Sequence, residues 1–171
     1  MAHDYSIELG FDFDSEQKDP AYDGFLEMGC GEGNSLASLD QLKKDGGLTF
    51  VVYDVSDSPH TGTGVPQSLT VTFAKADDSS PATTPFSTNT ITFTTFHDRG
   101  TRGSSEFGNR PAWYAQSGSQ VGTDKPTTLP FVNIGNFFVT VALEVTFTDP
   151  ENPTNPVTKT FGQDPRMDVD T

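Results

Sequence analysis

Trp113 and Tyr114, flanked by Asn109, Arg110 and Gln116, are the residues whose types best fit a binding chemistry. An exposed indole offers an apolar face to a sugar ring, and the amides and guanidinium beside it can take the ring's hydroxyls. Trp113, Tyr114 and Arg110 are therefore candidates for a glycan site. The competing reading is that Trp113 plugs the core. Carboxylates form a second group: Asp12 with Asp14, and Asp149 with Glu151, stand at strand ends where hard oxygen ligands could converge on calcium. None of them has EF-hand spacing, and acidic strand ends also serve as solvated turns.

Catalytic signals are sparse. His3, His60 and His97 lie in separate loops or at a terminus, and the chain has no Gly-x-Ser-x-Gly, His-Glu-x-x-His or phosphate-binding glycine motif. The expectation is a protein that is not an enzyme and has no cofactor beyond the calcium alternative. A Ser-His-Asp arrangement assembled in space remains the other option. Cys30 is the single cysteine, which excludes an internal disulfide.

Charge narrows the partners. With 24 acidic and 10 basic residues the formal charge is −14, which disfavours nucleic acid and anionic membrane surfaces, since binding either begins with cations on phosphate. No apolar stretch approaches the ~20 residues of a membrane span. The N-terminal residues lack the basic segment and apolar run of a secretory signal, so a cytoplasmic location is expected.

The elements that must position these residues are strands. From Asn136 to Asp149, Phe137, Val139, Val141, Leu143, Val145 and Phe147 alternate with mostly polar residues, which predicts a long strand with one buried face, central in its sheet. Prolines 150, 153 and 156 predict that pairing stops there, before a returning strand from Val157 to Phe161. Tyr5 to Phe13 alternates in the same way and should pack on the same core. Leu48 to Val55 is apolar on both faces, and so should be covered twice, by a second layer or by a partner chain. Leu69 to Ala74 and Thr90 to Phe96 complete the clearer strands. Ser35 to Lys44 reads as a short helix, with Ser38 and Gln41 as a capping box and Asp45-Gly46-Gly47 as its stop. His97 to Lys125 is the longest weakly patterned region and reads mainly as a functional or mobile loop, with a short strand from Pro111 to Gln116 within it.

Together these predict a single domain over 1–171: an all-β antiparallel sandwich of about eight or nine strands with one short helix, a closed barrel being the alternative. Phe138 interrupts the polar face of the longest strand. Phe138, Val51 and Tyr53 are candidates for self-association, unless the helix and the long loop cover them. The functional expectation is a non-enzymatic sandwich that acts through its surface as a homo-oligomer or larger assembly. A carbohydrate- or calcium-binding module is the alternative.

The close of the chain, a strand into Asp149, the link Asp149-Pro150-Glu151-Asn152-Pro153-Thr154-Asn155-Pro156 and the ending Phe161-Gly162-Gln163-Asp164-Pro165-Arg166-Met167-Asp168-Val169, resembles that of bacterial inclusion-body proteins of the PixA/AidA type. The resemblance covers about the last 35 residues. It implies a small cytoplasmic β-sandwich that accumulates or assembles without known catalysis, and it transfers no functional residue.

Overall fold

The computed structural model describes residues 4–16, 21–30, 42–57, 59–76, 84–104 and 106–170. Two sheets face each other across one apolar core, and neither closes into a barrel. The first sheet runs β3 (Glu27–Cys30), β1 (Asp4–Phe11), β5 (Gly47–Asp54), β9 (Arg110–Gln116) and β8 (Thr95–Arg102), with β10 (Leu129–Pro130) also on β5. The second is built on β11 (Gly135–Asp149), which pairs with β6 (Gly64–Lys75) on one edge and with β12 (Asn152–Gln163) and β13 (Arg166–Asp170) on the other. β7 (Thr90–Phe93) extends this sheet beside β6, β2 (Gly24–Phe25) beside β12, and β4 (Leu42–Lys43) beside β13.

The alternation of β11 sends its six apolar residues from Phe137 to Phe147 into the core, against Ile7, Leu9 and Phe11 of β1. Phe11 meets Phe147 edge-on at 5.7 Å and Phe161 at 6.0 Å between ring centroids. Such tilted and edge-on pairs are the arrangements aromatic rings prefer. β6 enters beneath them at Gly64, where a Cβ would lie 2.6 Å from the Phe11 ring and 2.7 Å from that of Phe147, so only glycine lets the strand approach so closely.

Several expectations change. The sheets are mixed, because β1 runs parallel to β5 over all eight of its residues, as do β2 to β12 and β4 to β13. Alternation shows which face is buried, and strand direction leaves no trace in it. Pairing continues through the proline-rich link: Asp149 pairs with Asn152, and after a register shift Phe147 pairs with Val157. The prolines at 153 and 156 occupy the extra residues of that irregularity, where donors are dispensable. β12 and β13 hold one continuous register on β11, interrupted at Asp164-Pro165, where the Pro165 carbonyl still accepts from Val139 N at 3.0 Å.

The helix expected over Ser35 to Lys44 lies mostly outside the described residues. Its last part is not helical, since Leu42 is fully buried in β4, opposite Val169, and Gly46 N returns to Lys43 O at 3.0 Å. Strand pairing with a buried leucine outweighs the weak stability of a helix this short. The stretch Thr90 to Phe96 breaks at Thr94, where the chain passes from the second sheet to the first. Much of the expected loop from His97 is the β8–β9 hairpin. β8 escaped notice because it is a partly exposed edge strand with no apolar alternation.

Candidate functional site

β5 is buried along its whole length. Leu48, Phe50 and Val52 enter the core between the sheets. Val51 and Tyr53 point the other way and form a second apolar cluster with Ala112 and Tyr114 of β9, flanked by Val55 and Phe107. Both self-association candidates on β5 are therefore covered by this chain itself. The cover is the link between β8 and β9, which folds back so that Phe107 lies 5.6 Å from Tyr53. Ser104 pins the link: its Oγ accepts from the backbone N–H of Glu106 and Phe107, each at 3.0 Å, and donates to the buried carboxylate of Glu8 on β1.

Arg102 completes the cover. Its Nε donates to the Tyr53 hydroxyl at 3.2 Å and Nη1 to the Tyr114 hydroxyl at 2.8 Å, with the guanidinium 5.3 Å from the Tyr114 ring centre. Arg99 approaches the same ring at 5.2 Å but is bonded to Asp124. Arg102 has no such neutraliser among the described residues, and neither does Arg110, which the β8–β9 register places directly opposite it. Arg110 spends its Nε on the Phe107 carbonyl at 3.4 Å. Like charges opposed on neighbouring strands cost stability.

Beside this pair runs a groove of about 260 Å³ lined by Ser6, Thr49, Val51, Arg102, Tyr114, Lys125, Pro126 and Thr128. Lys125 too has no carboxylate within reach among the described residues. Gln116 sets this wall in place. Its buried amide donates to the carbonyls of Thr123 at 2.8 Å and Lys125 at 2.6 Å and accepts from Gly122 N at 3.0 Å. The groove thus presents two cations, a tyrosine hydroxyl and short hydroxyls above an apolar floor. That set matches an oxyanion.

The expected glycan trio is divided. Tyr114 and Arg110 lie on the outer face of β9, whereas Trp113 points between the sheets, 6.1 Å from Phe11. The carboxylates expected to hold calcium are turn residues. Asp12 Oδ1 accepts from Asp14 N at 3.0 Å and Asp149 Oδ1 from Glu151 N at 2.9 Å, and no group of three metal-ligating side chains forms among the described residues. Asp149 also borders a cavity of about 310 Å³ with Phe13 and His60, whose rings stack at 3.9 Å. Phe138 stays exposed on the second sheet.

Sequence reasoning missed Arg102 and Lys125, and it read Gln116 as an amide flanking a sugar site where the structure makes it a buried clamp. The one available signal was the excess of arginine in a segment of a strongly acidic chain. No protein-family model, curated protein or solved structure matches this chain. No helix among the described residues is long and apolar enough to cross a membrane.

Burial, with the Glu8 carboxylate adding to it and Arg102 opposing, pushes the Tyr53 hydroxyl from 10.0 up to about 12. A folded-state value above the unfolded one means that stability is intact below pH 10 and is lost as pH rises from there through about 12. In an absorbance titration of tyrosinate, the last step will fall near pH 12 and vanish in Tyr53→Phe. Unfolding experiments across the same window should show wild-type stability declining more steeply than that of the variant.

Proposed function

We propose that this chain is a non-enzymatic β-sandwich acting through its surface, and that the outer face of its first sheet binds a ligand carrying a carboxylate or a phosphate. The observation that supports this is the set of cations Arg102, Arg110 and Lys125 on one face, none with an ion-pair partner among the described residues, in a chain whose formal charge is −14. Carboxylates are abundant, and Glu8 stands on this face, yet among the described residues none forms an ion pair with these three. Arg102 is held by two tyrosine hydroxyls, which orient a guanidinium without neutralising it, and Tyr53 remains protonated at any physiological pH. Screening confines the protein's overall negative field to about 8 Å at physiological salt, so a small anion can reach the groove. A polyanion would meet the whole charge. The histidines favour binding over catalysis, for among the described residues His60 stacks on Phe13, His97 sits 3.4 Å from Asp124, and neither bonds to a serine.

Thermal melting at matched ionic strength tests this reading. Sodium phosphate or acetate in place of chloride should raise Tm by roughly 3–6 °C at ten times Kd. Lys125→Ala and Arg102→Met should each abolish most of the shift. No shift with either anion, or the same shift in both variants, contradicts it.

A second reading, self-association, is favoured by Phe138, whose 52% exposure stands on a face otherwise carrying Thr140, Glu144, Thr146 and Thr148. A second copy covering that ring would bury apolar surface, and assembly is also what the resemblance to inclusion-body proteins implies. Sedimentation should then give a mass above 18.5 kDa that falls to the monomer in Phe138→Ser. A concentration-independent monomer would contradict it.

A further inference from the structure

Where the chain crosses from β7 to β8 at Thr94, the two sheets part and leave a cavity of about 560 Å³. Its walls are Gly62, Val65, Pro66 and Gln67 on one side and Thr94, Thr95, Phe96, Asp98 and Trp113 on the other. Trp113 is only 7% exposed, and its ring body packs in the core beside Phe11. Buried indoles ordinarily find an acceptor for their N–H. That of Trp113 has none among the described residues, and Trp113 lines the cavity.

The other polar groups are half used. Asp98 accepts from Gly100 N through Oδ1 at 2.7 Å, which leaves Oδ2 open, and Gln67 donates to the Val65 carbonyl at 3.2 Å, which leaves its own Oε1 open. Thr94 and Thr95 also line the cavity. Half-buried Phe96 and Val65, the latter 47% exposed, supply apolar surface. No cation lines the cavity among the described residues, so an anion gains nothing from them there.

We infer that this cavity is a binding site for a neutral saccharide. A sugar ring pairs an apolar C–H face with an edge of hydroxyls. The hydroxyls can donate to the Asp98 carboxylate and the Gln67 carbonyl and accept from the Trp113 N–H, while the C–H face rests on Phe96. The volume falls within the range of small-molecule pockets and admits roughly one or two hexose rings. This site lies on the inner side of β9, so it is independent of the anion groove on the outer side.

Trp113 is the single tryptophan and lines this cavity, so all indole emission comes from a residue at the site. The protein is titrated with glucose, galactose, mannose, N-acetylglucosamine and cellobiose. At least one should produce a saturable emission change with a Kd on the order of 1 mM. Asp98→Asn and Gln67→Ala, both at exposed positions, should each weaken it roughly five- to tenfold with circular dichroism unchanged. Inorganic phosphate should leave the emission as it was, and Arg102→Met should leave the sugar response intact, which separates this site from the groove. No saturable change with any of the five sugars, or a response undiminished in both cavity variants, overturns the inference.

Discussion

The guanidinium of Arg102, held between the hydroxyls of Tyr53 and Tyr114, is the contact on which the outer half of this molecule depends. β5 is apolar on both faces and so needs two covers. One is the opposite sheet. The other is built by the β8–β9 hairpin, which brings Phe107 over Tyr53 and ties Ser104 to Glu8. A carboxylate on Arg102 would have closed this cover and cancelled its charge together. Tyrosine hydroxyls close it and leave the charge in place.

A single strand serves two surfaces because β-strands alternate. Trp113 and Tyr114 are neighbours in sequence, and the pleat sends one into the core beside a cavity and the other to the outer groove. Grouping them by sequence proximity joined two separate environments. The acidic pairs Asp12–Asp14 and Asp149–Glu151 have a different explanation, since in both the first carboxylate caps the backbone N–H two residues on. That is the usual use of aspartate in a turn.

The core-facing side of a strand was legible in the sequence from its alternation, although on β1 the cover over Glu8 and Gly10 on the other face was not. Phe137 to Phe147 and Tyr5 to Phe11 show their buried face by period two, and the two-sided apolar run of β5 correctly announced cover on both sides. What stayed hidden depends on partners far along the chain. The parallel pairing of β1 with β5 leaves no local mark, and Leu42 reads as a helical leucine until its place beside Val169 is known. At the groove, Tyr114 and Arg110 were legible as polar-aromatic chemistry. Arg102 was not, because its meaning lies in having no carboxylate at ion-pair distance among the described residues, a fact of three-dimensional packing. Gln116 looks like a surface amide in sequence and turns out to be the buried clamp that places Lys125.

The side-chain resonance of Arg102 gives the most direct test of the central claim, that this guanidinium is ordered by tyrosines and still open to an anion. In proton–nitrogen spectra, the Arg102 Nε–H can be assigned by its loss in Arg102→Lys. It should appear as a slowly exchanging signal at neutral pH and move saturably on addition of phosphate. A signal broadened away by rapid solvent exchange, or one that stays in place as phosphate is added, would contradict the account.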